Sequence, residues 1–140
     1  MQLDEILRLI EDANSNDHGA RARLESEFRT SERLAVYGSL APGKQNHHIV
    51  APLGGEWTDG FVEGDLFQTG WGAPLGYWAF KQRSGGEKVA VRVLTSPRLS
   101  EAWPMLDEFE GSEYRRILVL VQPLSIVAHI YAAADAREGE

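Results

Sequence analysis

Leu34-Ala35-Val36-Tyr37-Gly38 marks a change of period in this chain. Four apolar residues stopped by a glycine are too short for a helix and suit a buried strand. From here onward short apolar runs recur, at Phe61–Phe67, Tyr77–Phe80, Val89–Leu94, Ile117–Val121 and Ile126–Ala133. Gly54-Gly55, Gly70, Gly72 and Ser84-Gly85-Gly86 separate them, which is turn chemistry. After Pro42-Gly43, Asn46 is placed to cap a short helix through His48, Ile49 and Val50. One longer helix is expected between about Ser100 and Phe109. Many short strands with one or two inserted helices predict an α+β domain whose sheet is strongly curled or closed.

Upstream of Leu34 the pattern is helical. Leu3, Ile6, Leu7 and Ile10 recur at spacings of one helix face, Asn14-Ser15-Asn16-Asp17 breaks the run, and Ala20, Leu24 and Phe28 form a weaker second stripe. The expected organisation is therefore an N-terminal helical extension over 1–33 followed by the main domain over 34–140. Such an arm buries its stripe on the domain or on a second copy, so a homodimer through the arm is one expectation.

Composition bounds the function. The 140 residues carry a formal charge of −7, with 14 Lys and Arg and no cysteine. Sparse cations argue against nucleic acid as a partner. The missing thiols exclude a disulfide framework and a cysteine nucleophile. No apolar run is long enough to span a bilayer, and no basic-then-apolar leader opens the chain, so the expectation is a cytoplasmic protein with no membrane partner.

Two stretches carry candidate chemistry. In Leu99 to Gly111, a helical period puts Leu99, Trp103 and Leu106 on one apolar stripe, and Glu110 follows on the same stripe. A carboxylate there loses hydration and stands at the negative end of the helix dipole. Both effects raise its pKa towards the range of a general acid–base group. The competing reading is a last-turn glutamate that curls into solvent or pairs with Arg115 or Arg116. Asp107 and Glu108 read as solvated charges. In Tyr37-Gly38-Ser39-Leu40-Ala41-Pro42-Gly43, a strand ending in Gly-Ser offers consecutive backbone N–H groups to an anion. A plain strand end followed by a turn explains the same residues. Adjacent His47 and His48 would point apart, and His18 and His129 stand alone, so surface or capping roles and no metal are expected. Ser39 lacks the context of an elbow nucleophile. Trp57, Trp71, Trp78 and Trp103 read as core or rim residues.

Together the two stretches resemble the γ-glutamylcyclotransferase-like superfamily, in particular its small γ-glutamylamine cyclotransferase or AIG2-like branch. The similarity runs from Val36-Tyr37-Gly38-Ser39-Leu40 through Gly43, Asn46 and Val62-Glu63-Gly64-Asp65-Leu66-Phe67. It resumes at Leu106-Asp107-Glu108-Phe109-Glu110-Gly111, with Tyr114, Arg116 and Tyr131 following. The resemblance implies a compact mixed β-barrel with flanking helices and an enzyme that needs no cofactor. The reaction implied is cyclisation of a small-molecule γ-glutamyl amine or peptide to 5-oxoproline. It further implies Glu110 as the catalytic base, Tyr37, Gly38, Ser39 and Leu40 as the holders of the glutamyl end, and Tyr114 as a steering or pocket residue. The alternative is a domain of the same fold that binds a γ-glutamyl-like ligand without turning it over, or serves as an interaction module.

Overall fold

The structure, a computed structural model, describes residues 1–68 and 78–134. Two helices open the chain, α1 (Leu3–Asn14) and α2 (His18–Phe28). Asp17 caps α2 by accepting the Ala20 N–H at 2.9 Å. Six strands follow: β1 (Arg33–Val36), β2 (Glu56–Gln68), β3 (Trp78–Gln82), β4 (Glu87–Thr95), β5 (Tyr114–Val121) and β6 (Ile126–Ala133), with α3 (Trp103–Glu110) between β4 and β5.

The strands form one sheet in the order β3-β2-β4-β1-β6-β5. All neighbours are antiparallel except β1 and β6, which run parallel with Leu34 opposite His129. The long β2 then curls the sheet back on itself. Phe61 and Gln122 exchange two backbone hydrogen bonds, of 2.7 and 2.9 Å, and bring the end of β5 against β2. Gly60 permits this approach, since a Cβ there would lie 2.6 Å from the Val121 side chain and 3.0 Å from the Gln122 carbonyl. The result is a nearly closed, mixed six-stranded barrel with flanking helices, as expected from the strand series and from the resemblance.

Alternation along each strand sorts the apolar residues into layers. Ala35, Val62, Phe80, Val91, Val119 and Ile130 fill the barrel. Leu34, Val36, Leu94 and Tyr131 face outward and pack on Leu99, Trp103 and Leu106 around α3. Leu118 and Val127, on the outer face of β5 and β6, are covered by Ile6, Ile10, Ala13, Ala20 and Leu24 of the first two helices.

Several local expectations are corrected. The buried face of α1 is Ile6, Ile10 and Ala13, while Leu3 and Leu7 are 50% and 36% exposed. Ile6, Ile10 and Ala13 are the α1 positions buried against α2 and the sheet, and Leu3 and Leu7 lie outside that contact. Asn46 does not cap a helix through its side chain. It precedes two 3-10 turns, His47–Ile49 and Ala51–Leu53, and its amide binds Ser39 Oγ at 2.9 Å. Strand β3 begins at Trp78; Tyr77, Trp71 and the glycines at 70 and 72 lie outside the described residues. Among the described residues, no helix is long and apolar enough to cross a membrane.

Candidate active site

The chain enters α3 through a 3-10 turn, Pro97–Glu101, started by Ser96, whose hydroxyl accepts the Arg98 N–H. Pro104 falls in the first turn of α3, where its missing N–H costs nothing. Trp103 and Leu106 are buried on the outer face of the barrel. Gly111 then stops the helix with φ +86 and makes Glu110 its last residue. Glu110 is half-buried, and loss of hydration pushes its carboxyl up to about 7.

Neither arginine that follows neutralises it. Arg116 is committed to Asp107 in a bidentate pair, Nε to Oδ1 at 3.0 Å and Nη2 to Oδ2 at 3.2 Å. The Tyr131 hydroxyl also donates to Asp107 Oδ1 at 2.6 Å. Asp107 is thus no ordinary solvated charge. Burial alone would raise its carboxyl, but the Tyr131 hydroxyl and the Arg116 guanidinium outweigh burial and hold it below the usual carboxylate range. Among the described residues, no cation is paired with Glu110.

Tyr37 leaves β1 beside this helix end. Its hydroxyl donates to the Tyr131 carbonyl at 2.6 Å, and its ring lies 6.0 Å from that of Phe80. Burial above all, with Tyr114 and the Glu110 carboxyl nearby, keeps the Tyr37 phenol protonated well above its ordinary range. That electrostatic coupling puts Tyr37, Tyr114 and Glu110 at one end of the barrel. Tyr114 donates to the Trp78 carbonyl at 2.9 Å and so joins β5 to the edge strand β3.

The turn after Tyr37 is held from behind. The Ala41 N–H donates to the Gly38 carbonyl at 3.2 Å and the Asn46 N–H to the Ser39 carbonyl at 2.9 Å. His47 Nδ1 donates to the Leu40 carbonyl at 2.9 Å, the tautomer following from an acceptor-only partner. The three carbonyls are therefore spent inside the loop. Among the described residues, none accepts the backbone N–H of Gly38, Ser39 or Leu40. A Cβ built on Gly38 would meet nothing within 4 Å, and its φ is not positive. Gly38 thus contributes open space beside the loop, not the left-handed geometry that glycine often supplies.

The remaining candidates separate from this site. His129, expected at the surface, is largely enclosed: its ring lies 4.8 Å from that of Trp103 at a tilt of 56°, and Nδ1 is buried with no partner among the described residues. Burial, helped by the Arg116 and Arg21 charges, lowers it to about 3, so it stays neutral at ordinary pH. Among the described residues no group of metal-ligating side chains converges. A cleft of about 550 Å³ lined by Arg8, Glu11, Asn14, Gln82 and Arg115 lies against α1 and includes neither Glu110 nor the turn. Asp107 and Tyr131 were missed as functional neighbours. The signals were the place of both within the resemblance and the three-residue spacing of Asp107 from Glu110, one turn back on the same helix.

A nearly closed barrel with a desolvated helix-end carboxyl beside a Tyr-Gly-Ser-Leu turn defines a class that comparison identifies. The family model described as gamma-glutamyl cyclotransferase, AIG2-like, matches residues 34–140, and the chain belongs to that family. Membership implies a cyclotransferase-type enzyme. Among solved structures, the chain is similar to an AIG2-like protein from Mus musculus (20% identity, TM-score 0.59, covering 76% of this chain and 80% of that one). It is also similar to the uncharacterized protein PH0828 from Pyrococcus horikoshii (22%, 0.54, 77% and 82%). A third likeness, to YkqA from Bacillus subtilis, has 25% identity and a TM-score of 0.56 and spans 73% of this chain and 35% of that one. No curated protein matches the chain.

Proposed function

We infer that the protein cyclises a γ-glutamyl amine or peptide to 5-oxoproline with release of the amine, and that Glu110 is the proton carrier. The observation that carries this reading is the half-buried Glu110 carboxyl, pushed up to about 7 and left without a cationic partner among the described residues. A carboxyl of that kind accepts and returns protons near neutral pH.

In this mechanism the α-amino nitrogen of the glutamyl unit attacks its own side-chain carbonyl carbon. A carbon–nitrogen bond forms within a five-membered ring, and the bond to the leaving nitrogen breaks. The nucleophile enters as an ammonium: it loses one proton before attack and a second as the ring amide forms, and the departing nitrogen gains both and leaves as an ammonium. Glu110 carries each proton in turn from the attacking to the departing nitrogen, which leaves the enzyme unchanged over a turnover. Ring closure is intramolecular, and the protein's main task is to hold the folded conformer. The N–H groups of Gly38, Ser39 and Leu40 suit the α-carboxylate or the oxyanion that develops at the attacked carbonyl. Tyr37 and Tyr114, whose hydroxyls are fixed by the Tyr131 and Trp78 carbonyls, are the side chains this reading assigns to the space between that turn and Glu110.

The test is Glu110→Gln, which preserves shape and removes the base. Formation of 5-oxoproline from a γ-glutamyl amine panel should fall by roughly 10²–10⁴-fold. In the wild type kcat/KM should rise with pH through about 7, because only the carboxylate accepts a proton. That limb should vanish in the variant. Turnover within a few-fold of wild type would remove Glu110 from the mechanism, and binding without any turnover in the wild type would leave a ligand-binding domain.

A further inference from the structure

The barrel's interior face does not end where the barrel closes. Along β2, Val62, Gly64 and Leu66 alternate onto one face. Val62 is buried inside the barrel, and a Cβ on Gly64 would lie 2.6 Å from the Phe80 ring, which fixes that face as the one carrying Phe80. Leu66 stands directly opposite Phe80 in the register of β2 and β3, and Trp78 precedes Phe80 by two residues. Leu66, Phe80 and Trp78 therefore share one continuous face. Phe80 is fully buried, whereas Leu66 is 38% and Trp78 48% exposed. Beyond Phe80, among the described residues, the core surface continues as a partly exposed apolar wall.

This wall adjoins the candidate active site. Phe80 is the ring against which Tyr37 packs, and the Trp78 carbonyl receives the Tyr114 hydroxyl. The charges of the same ribbon lie on its other side: Asp65 stands opposite Lys81 and is paired with Arg83 at 2.7 Å. On the wall's face Val62, Gly64, Leu66, Trp78, Phe80 and Gln82 carry no formal charge; Glu87, opposite Gly64, shares the face at the end away from Trp78. A charged tail would lose water along Leu66 and Trp78, whereas an apolar tail would cover exposed leucine and tryptophan.

We propose that Leu66 and Trp78 form the leaving-group subsite, and that the protein selects γ-glutamyl derivatives of apolar or aromatic amines over those with charged tails. The proposal rests on the γ-glutamyl reading above and specifies its substrate class. The glutamyl end reaches the turn at Gly38–Leu40, the scissile carbonyl lies by Glu110, and the amine's hydrocarbon body lies along the β2–β3 ribbon.

The experiment compares γ-glutamyl-phenethylamide, γ-glutamyl-methylamide and γ-glutamyl-ε-lysine, by calorimetric titration of the Glu110→Gln variant and by kcat/KM in the wild type. The phenethylamide should be favoured over both others by roughly tenfold, the effect of covering part of an aromatic side chain at an open wall. Leu66→Ser and Trp78→Ala should each draw the phenethyl-to-methyl ratio towards one. Phe67→Ser, equally exposed but on the opposite face of β2, should preserve it. Equal affinities for the three compounds, a ratio unmoved by both wall variants, or no binding of any compound overturns the proposal. The reaction itself is judged separately by 5-oxoproline release: discrimination in binding without release would remove the chemistry and keep the wall, and release without discrimination would do the reverse.

Discussion

A carboxylate ending α3 gives up hydration at the negative pole of the helix, and Glu110 does so without a cation to compensate. Its folded value of about 7 lies above the 4.5 of a free glutamate. Folding therefore favours its protonated form: the benefit is present below 4.5 and is lost as pH rises through about 7. In Glu110→Gln the charge never forms, so the substitution offered as the test of turnover should also raise the thermal midpoint at pH 8 relative to wild type. Gly38 illustrates the opposite economy, a position where nothing is packed. Because a Cβ there meets nothing and φ is not positive, Gly38→Val should fold normally. If the N–H groups of the turn receive the glutamyl end, the isopropyl group should block it and reduce 5-oxoproline affinity below detection. Ser39→Ala, which keeps every backbone donor, should bind within a few-fold of wild type. Titration calorimetry on both variants, after circular dichroism shows them folded, decides this; unchanged affinity in Gly38→Val would place the ligand elsewhere.

The element that organises the site is the last turn of α3, clamped from two strands at once. Arg116 of β5 and Tyr131 of β6 both reach Asp107, one turn before Glu110, and Arg116 also lies 4.5 Å above the Trp103 ring. The pair is partly exposed, so its contribution to stability is of order 1 kcal/mol. Its larger effect is electrostatic, because it holds the Arg116 charge on Asp107, one turn before Glu110. Asp107→Asn should release Arg116 towards Glu110 and lower the ascending limb of the pH–rate profile by roughly one pH unit. Arg116→Met, which leaves no cation to migrate, should not lower that limb. A profile unmoved in Asp107→Asn would mean that the clamp only braces the helix.

At the level of the whole molecule, α1 and α2 act as a lid on the outer face of β5 and β6. They bury Leu118 and Val127, and Asn14 adds a backbone mimic: its amide donates to the Leu118 carbonyl and accepts the Leu118 N–H, both at 2.9 Å. Such pairing shields strand backbone that would otherwise lie open. The connection beyond α2 belongs to the barrel's support, since the Ser31 carbonyl accepts Trp103 Nε1 at 2.9 Å and the Glu32 carbonyl accepts the Ser96 N–H. Deleting residues 1–28 should therefore cost roughly 5 kcal/mol or more, from several buried side chains, and should promote self-association through the uncovered strands. Cyclising activity should survive in whatever fraction stays folded. Thermal unfolding, light scattering and 5-oxoproline release on the truncated protein provide the check, and a folded but inactive protein would make the arm part of the site.

Much of this was legible without coordinates. The strands could be read because each run is short and apolar, with glycine or proline in most of the turns between them, and period alone placed Glu110 on the stripe of Leu99, Trp103 and Leu106. The helical arm was equally plain, although its exact buried face was not, since Leu3 and Leu7 fit the same stripe as Ile6 and Ile10. What one dimension could not hold were meetings between distant residues. Asp107 reads as a surface charge until β5 and β6 bring Arg116 and Tyr131 to it, and His129 reads as solitary until it lies against Trp103. Local periodicity sets which face of an element is apolar, because that depends only on neighbours in sequence. Whether a charge on that face is paired, desolvated or left to take up protons depends on the closure of the barrel, and only the tertiary structure decides it.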